Sequence, residues 1–235
     1  MKLLAFETAT EACSVALYVD GQVSERFDIA PRRHAELSLP WAEQLLAEAG
    51  VARSQLDAIA LGRGPGAFTG VRLAIAIAQG IALALDRPLV PVSTLQVLAL
   101  RAPAGATHVL SSIDARMGEV YVGRQVRVEG QWQAQGEEIV CAPDAVDLPD
   151  GARWFGVGTG FGAAEGVLAT RLSAQLDGVD AQALPRASDL LQLAVPMFER
   201  GEAMAPELVE PAYLRNNVAL TLAEQQAARA AKQQA

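Results

Sequence analysis

The stretch that decides the fold is GRGPGAFTGVRLAIAIAQGIALAL, which runs from Gly62 to Leu85. Four glycines open it and are followed by a run with almost no charge. From Leu73 to Leu85, large apolar residues alternate with Ala or Gly, except at Gln79. The length of the run, its Ala and Leu content and the preceding loop favour a helix over a strand. The stretch therefore predicts a glycine loop that leads into an apolar helix.

The small residues of this helix fall on two roughly opposite sides at about 100° per residue. One side carries Ala74, Ala78 and Ala82, and the other carries Ala76, Gly80 and Ala84. A surface helix normally keeps a polar face, but this one keeps only Arg72 and Gln79. Two interpretations are open, a helix enclosed within its own domain or a helix covered by a partner. We favour the partner, because the neighbouring predicted helix over 35–49 also carries Leu37, Leu39 and Trp41 on more than one face.

The order of elements predicts an α/β protein with two similarly built lobes. The first third reads β-β-β-α-β-α-β, and the second half restarts this order around a Glu129–Gly130 turn. A strand, glycine turn and helix are expected over 152–166. A further helix is expected from an N-cap at Ser188 to a stop at Gly201. We assign residues 1–104 to an N-terminal lobe, 105–205 to a C-terminal lobe and 206–235 to a segment that returns toward the first lobe.

The glycine loop and the FETAT stretch are the candidate nucleotide site. Glycines before a helix N-terminus suit an anion, but no Gly-Lys-Ser/Thr of a Walker A motif follows. An acidic residue and hydroxyls after the first strand could hold a hydrated cation and phosphates. The alternative for both stretches is tight-turn chemistry. The weak candidates for cofactor binding are Glu7, Thr8, Thr10, Gly64 and Gly66.

Composition limits the remaining classes. The net charge of −8 disfavours a broad nucleic-acid or anionic-membrane surface, although a local basic patch such as Arg32–Arg33 is compatible with it. Two histidines and two cysteines lie too far apart in sequence for a recognisable metal motif. The uncharged stretch Leu73–Leu85 is shorter than the roughly 20 residues that span a bilayer. We expect a cytoplasmic protein with no metal and no membrane partner.

Five stretches in order resemble the TsaB (YeaZ) family across nearly the whole chain. They are FETATEACSVAL (6–17), RRHAELSLPWAEQLL (32–46), the 62–85 stretch, SSIDARMGEVYVG (111–123) and VEPAYLRNNVA (209–219). The resemblance implies the two-lobed actin-like ATPase fold, of the ribonuclease H-like class, with a mixed sheet flanked by helices in each lobe. It implies a role in making threonylcarbamoyladenosine at position 37 of tRNAs that read codons starting with A.

The resemblance also implies that the chain is a non-catalytic partner of the related transferase TsaD. TsaD holds its metal on a HxxxH motif, whereas this chain has Thr94 and Leu98 at those positions. No cofactor is required, and Glu7, where the family usually has Asp, disfavours ATP binding. The implied partners are TsaD, the ATPase TsaE, the threonylcarbamoyl-adenylate made by TsaC, and a second copy of the chain when it is alone. Contact with tRNA is expected to be indirect or weak.

The family's contact with TsaD uses the helix before the glycine loop and the helix after it. Carried over to this sequence, the expected interface residues are Arg33, His34, Leu37, Trp41, Leu45, Thr69, Arg72, Leu73, Ala74, Ile77, Ala78, Ile81 and Ala82. An alternative function is an enzyme acting on its own. It would be either an actin-like phosphotransferase or a metallopeptidase of the glycoprotease type.

Overall fold

A computed structural model describes residues 1–215, and they form two sheets flanked by helices. The part of the predicted segment 206–235 that follows residue 215 lies outside the described residues. The strands are β1 (Lys2–Glu7), β2 (Ala12–Val19), β3 (Gln22–Ile29), β4 (Ala58–Gly62), β5 (Leu89–Val92), β6 (His108–Arg116), β7 (Glu119–Val128), β8 (Gln131–Ala134), β9 (Ile139–Cys141), β10 (Trp154–Val157) and β11 (Leu176–Asp180). The α-helices are α1 (His34–Glu48), α2 (Phe68–Leu85), α3 (Thr94–Ala99), α4 (Val167–Arg171) and α5 (Ala187–Glu199).

The two sheets share one topology. The first has the order β3-β2-β1-β4-β5, and the second has the order β8-β7-β6-β10-β11 with β9 added beside β7. In each sheet the first strand pairs antiparallel with the second and parallel with the strand that follows the first crossover. The order β4–α2–β5 after three antiparallel strands is repeated as β10–α4–β11. This duplication confirms the predicted two-lobed actin-like ATPase fold.

Both faces of each sheet are covered. Strand β1 alternates between them, since Leu4 and Phe6 pack toward α1 and α2 while Leu3 and Ala5 pack toward α5. On the second sheet, α3 covers one face and α4 covers the other. The last helix of each lobe therefore packs on the sheet of the other lobe. The sequence analysis placed α5 in the second lobe, and the structure corrects this, because Ala187, Leu190 and Leu191 lie in the core of the first.

Two local predictions in the second half are wrong. The helix expected directly after the glycine turn is delayed, because 3₁₀ turns at Thr159–Phe161 and Ala164–Gly166 precede the five-residue α4. Ser188 does not cap α5. The helix begins at Ala187, and the side chain of the N-cap residue, Arg186, makes no capping hydrogen bond. The predicted stop at Gly201 is confirmed, since this glycine adopts a φ of +76°.

Helix α1 contains its proline rather than beginning at it. The helix starts at His34, so Pro40 lies inside, and Gly50 follows its end with a φ of +63°. Helix α2 is 18 residues long with a mean hydropathy of 1.7, so by length and composition alone it would be able to cross a membrane. It lies instead on the first sheet, where its inner side is part of the core.

Candidate protein-interaction site

The glycine loop packs directly on the turn between β1 and β2. A Cβ atom at Gly66 would lie 2.4 Å from the Ala9 carbonyl oxygen, and one at Gly70 would lie 2.0 Å from that of Thr8. Only glycine allows backbone segments to approach this closely. The loop glycines are therefore required by packing within the chain, which is the tight-turn alternative of the sequence analysis.

The side chains considered for phosphate or cation binding are engaged inside this turn. The Thr8 hydroxyl donates to the Gly70 carbonyl at 2.7 Å, and the Thr10 hydroxyl accepts from the Ala12 amide at 3.3 Å. The Glu7 carboxylate accepts from the Ala9 amide at 2.8 Å and from the Thr94 hydroxyl at 3.2 Å. Thr8, Thr10 and Glu7 are all buried. Gly64, with a φ of +90°, packs against Val71.

The Glu7 carboxyl is enclosed on its remaining side by Gly62. A Cβ atom at position 62 would lie 2.0 Å from Glu7 Oε2, so the carboxylate fills the space that this glycine leaves. Burial raises the pKa of Glu7 to about 7, and the hydrogen bonds from Ala9 and Thr94 only partly oppose that rise. The group thus changes its protonation near neutral pH inside the first lobe.

The positions that correspond to the HxxxH ligands hold buried side chains. Thr94 donates to Glu7, and Leu98 is part of the core beneath the second sheet. His34 Nε2 lies 3.0 Å and 3.1 Å from the carbonyl oxygens of Thr10 and Ala12, so it serves as the donor that ties the start of α1 to the β1–β2 turn. Within residues 1–215, no three His, Cys, Asp or Glu side chains come together as a metal site.

The inner side of α2 is the one that carries Ala74, Ala78 and Ala82. All three are fully buried against the first sheet and α1, in the same core as Leu45. The sequence analysis placed these four residues in the partner interface, and the structure corrects that choice. Their small size lets α2 lie close to its own sheet, so they cannot contact another chain while the lobe is folded.

The outer side of α2 is exposed. Ala76, Gly80, Leu83 and Ala84 face away from the sheet, with Leu83 66% exposed. Leu73, Ile77 and Ile81 are half-buried along the borders of this side. Gln79, one of the two polar residues of the helix, donates to the carbonyl oxygens of Pro206 (2.8 Å) and Val209 (3.3 Å). The returning segment therefore covers one border and leaves the outer side open.

Helix α1 adds exposed and half-buried apolar side chains. Leu39 is exposed, whereas Leu37 and Trp41 are half-buried. Arg33, at the start of α1, pairs with Glu36 at 3.4 Å and remains exposed. We call the exposed part of the two helices the docking surface. It comprises Arg33, Leu37, Leu39, Trp41, Thr69, Leu73, Ala76, Ile77, Gly80, Ile81, Leu83 and Ala84.

Sequence reasoning chose for the interface the side of α2 that the structure buries. Leu83 was not assigned to the interface, and Ala76, Gly80 and Ala84 were given only as the opposite side. A signal was present, because Arg72 and Gln79 are seven residues apart and project on the side of Ala76 and Leu83 at about 100° per residue. The polar residues of a largely apolar helix mark the side that water or a partner can reach.

An open cleft of about 1010 Å³ lies where the two lobes face each other. The N-terminal ends of α1 and α2 form its first wall, the end of β6 with Tyr121 and Thr159 forms the second, and residues 211–215 also line it. Arg72 of α2 lies with its guanidinium carbon 3.3 Å from the Phe68 ring centroid and donates to the Tyr213 hydroxyl at 2.6 Å. The cleft and the docking surface meet at the N-terminal end of α2, where Thr69 and Leu73 belong to both.

Fold and site together define a two-lobed actin-like protein whose candidate nucleotide-binding groups are engaged within the chain. The family model described as TsaD, tRNA N6-adenosine threonylcarbamoyltransferase, matches residues 28–222. The tRNA threonylcarbamoyladenosine biosynthesis protein TsaB of Escherichia coli is 44% identical over 230 residues, which covers 93% of this chain and 96% of that protein. The Haemophilus influenzae protein of the same description is 39% identical, with 93% and 95% coverage.

A solved structure agrees with these relatives. YeaZ from Pseudomonas aeruginosa superposes with a TM-score of 0.83 at 47% identity, covering 91% of this chain and 99% of that one. The chain therefore belongs to the TsaB family of tRNA threonylcarbamoyladenosine biosynthesis proteins. These similarities confirm the family resemblance found in the sequence.

Proposed function

We propose that this chain is a non-catalytic scaffold subunit that binds a TsaD-type transferase through the docking surface. In that role it supports transfer of the threonylcarbamoyl group to a tRNA adenosine in the cytoplasm. The acyl donor is a threonylcarbamoyl-adenylate of the kind that TsaC makes, and a TsaE-type ATPase acts on the heterodimer. When the chain is alone, the same surface pairs with a second copy.

The observation that carries the proposal is Gly80. Glycine inside a helix costs about 1 kcal/mol relative to alanine, so its presence there indicates a packing or functional reason. Apart from its chain neighbours and the adjacent backbone of α2 itself, no atom of the described residues lies within 4 Å of the position that a Cβ at Gly80 would take. Packing within the chain therefore gives no reason for this glycine. Close approach of another chain does.

The pattern around Gly80 indicates a helical partner. Ala76, Gly80 and Ala84 recur every four residues along one line of the exposed side. Small residues at this spacing form a shallow groove in which the ridge of another helix fits at a short interaxial distance. Leu83 and the half-buried Ile77 border the groove and supply apolar area. Covering them with a partner removes apolar surface from water.

The absence of catalysis is proposed on separate grounds. A metallopeptidase or transferase that used the positions of the TsaD metal ligands would need donors at 94 and 98, where this chain has a hydroxyl bonded to Glu7 and a leucine. A phosphotransferase would need free amides and a cation-binding carboxylate at the glycine loop. There, Gly66 and Gly70 lie against the β1–β2 turn and Glu7 is enclosed. These contacts favour the scaffold over both enzyme alternatives.

The proposal is tested with two substitutions at Gly80. Gly80→Ala should stabilise α2 by up to about 1 kcal/mol and raise the melting temperature, yet weaken association because a methyl group enters the groove. Gly80→Leu should abolish co-purification with the TsaD-type transferase while the chain stays folded. A gain in stability accompanied by a loss of binding is the signature of a residue kept for a partner.

The matched control is Gln192→Leu, which adds the same side chain at an exposed position of α5 and should leave association unchanged. Co-purification is read alongside circular dichroism for each variant. An intact heterodimer with Gly80→Leu would contradict the scaffold proposal at this surface. Stoichiometric metal or ATP turnover by the isolated wild-type chain would favour the enzyme alternatives.

A further inference from the structure

The cleft between the lobes concentrates the exposed aromatic side chains of the molecule. All twelve Phe, Trp and Tyr residues lie within the described part of the chain, and only Phe68 and Tyr213 are exposed, at 67% and 58%. Both line the cleft. An aromatic ring left in water at a cavity wall loses the burial that such side chains normally gain. Two of them at one cavity indicate a ligand with flat, stackable groups.

A guanidinium group joins these two rings. Arg72 stacks on Phe68 at 3.3 Å and lies 5.2 Å from the Tyr213 ring centroid, to whose hydroxyl it donates. The three side chains thus form a preorganised platform that alternates ring, cation and ring. Unpaired RNA bases stack on aromatic rings and arginine planes of this kind.

The cleft is also a basic region in an acidic chain. Four arginines line it, against the carboxylates of Glu11 and Asp114. Arg116 pairs with Asp114, and Arg215 pairs with Glu119 of the adjacent strand. Within residues 1–215, neither Arg32 nor Arg72 forms an ion pair with a carboxylate. Those two guanidinium groups can neutralise phosphates without first breaking a salt bridge.

Backbone geometry places arginines on opposite walls. Arg32, before α1, and Arg116, the last residue of β6, both adopt left-handed conformations with φ of 70° and 63°. Such conformations are unfavourable for residues other than glycine. They bring one cation from each lobe to the mouth of a volume of about 1010 Å³, which is large enough for a nucleotide unit and its neighbours.

We propose that this interlobe cleft binds an unpaired segment of tRNA, with bases on the Phe68–Arg72–Tyr213 platform, one phosphate on Arg32 and a second on Arg116, where it replaces the exposed pairing of Arg116 with Asp114. The inference rests on the proposed function and extends it, because the sequence predicted only indirect or weak contact with tRNA. Since α2 supplies both the platform and the docking surface, RNA held in the cleft lies next to the docked transferase. The acidic chain as a whole repels RNA phosphates, and the arginines of the cleft offset this repulsion only within the cleft.

The test is fluorescence anisotropy with the full chain and a labelled tRNA anticodon stem-loop, with a fully paired RNA duplex of the same length as comparison. The double variant Arg32→Glu/Arg116→Glu should lose at least tenfold in affinity. The dependence of log affinity on log salt should become shallower by about 0.7 for each phosphate contact removed. Tyr213→Ala should lose about tenfold with little change in salt dependence.

The matched control is Arg53→Glu/Arg200→Glu, which makes the same change in net charge at exposed positions outside the cleft and should bind as the wild type does. Equal losses in both double variants, equal affinity for the duplex, or no binding by the wild type would overturn the inference. ATP binding that disappears in the cleft variant, without RNA binding, would also overturn it in favour of a free nucleotide.

Failure of this inference is distinguishable from failure of the proposed function. The Arg32→Glu/Arg116→Glu variant should still co-purify with the TsaD-type transferase, and Gly80→Leu should still bind the stem-loop. If the cleft variant keeps the transferase and the wild type does not bind RNA, only the cleft assignment falls.

Discussion

The two lobes differ most in the connection between their parallel strands. In the first lobe, β4 and β5 are joined through the 18-residue α2, whereas in the second, β10 and β11 are joined through 3₁₀ turns and the five-residue α4. Parallel neighbours require a crossover, and the second lobe shows that a short helix is sufficient for it. The length of α2 is therefore more than the topology demands.

The exposed sides of these two helices differ as well. Helix α4 buries Leu168 and exposes Val167, Thr170 and Arg171, so polar residues predominate on its outer side, as expected for a surface helix. Helix α2 buries one side in the same manner but exposes Ala76, Gly80 and Leu83. The sheet determines the inner side of both helices, so the comparison separates what the fold requires from what remains for a partner. The outer side of α2 belongs to the second category.

The largest expected effect comes from placing an arginine on the inner side of α2 and comparing it with an arginine on the outer side, two positions away. Ala78→Arg places a charge in the core against the first sheet, where Ala78 has no exposed surface. It should cost more than about 4 kcal/mol of the free energy of unfolding, because the charge is buried without a partner. Ala76→Arg points outward and should change that free energy by less than about 0.5 kcal/mol. Urea denaturation measures both.

Binding to the TsaD-type transferase is informative only for the outer position. Ala76→Arg should remain folded and fail to bind the TsaD-type transferase, while loss of binding by Ala78→Arg would only report unfolding. If Ala78→Arg proved as stable as the wild type, the assignment of inner and outer sides would be reversed.

The second effect compares the carboxylates near the ends of β1 and β6. Glu7 has its pKa raised to about 7 by burial, from a usual 4.5. The folded state therefore binds the proton more tightly than the unfolded chain. The stability that this provides is fully present below pH 4.5 and is lost as the pH rises through 7. The glutamine of Glu7→Gln does not ionise, so the variant keeps this stability at high pH. Above pH 7 its free energy of unfolding should exceed that of the wild type by about 3 kcal/mol.

Asp114 is the matched position in the second lobe. Its carboxylate faces the cleft and pairs with the exposed Arg116, so Asp114→Asn should change the free energy of unfolding by less than about 1 kcal/mol. Denaturation of the three proteins from pH 4.5 to pH 9 makes the comparison. A constant difference between Glu7→Gln and the wild type over that range would show that Glu7 is not enclosed as described.

The duplicated fold and the unusual character of α2 could be predicted from sequence, because strand alternation, glycine turns and the lack of charge are local signals. The inner side of α2 was chosen wrongly because its two small-residue sides look alike in the sequence, and only the position of the sheet distinguishes them. The glycine loop was left between two interpretations for a similar reason. Its decisive contacts are with Thr8 and Ala9, about sixty residues earlier in the chain.

The sequence also could not predict that the last helix of each lobe packs on the sheet of the other lobe. Helix α5 follows the second sheet in the chain, and nothing in its amphipathic pattern specifies which sheet receives it. What holds its start is Glu25, 163 residues away. Ser188 fits the composition of an N-cap, but a carboxylate from β3 takes that role.

The smallest of the three effects tests this exchange. Glu25 accepts from the Ser188 amide at 3.1 Å and from the Ser14 hydroxyl at 2.8 Å, and Arg186 pairs with it at 3.3 Å. The Ser14 hydroxyl in turn accepts from the Ala187 amide at 2.8 Å. Glu25→Ala leaves the Ser188 amide without its acceptor and removes the acceptor of the Ser14 hydroxyl, so it should cost about 2 kcal/mol. Ser188→Ala should cost less than about 0.5 kcal/mol, since its own side chain does not cap the helix. Thermal denaturation ranks the two variants, and a larger loss for Ser188→Ala would mean that α5 is capped locally and held to the first lobe only by its apolar side.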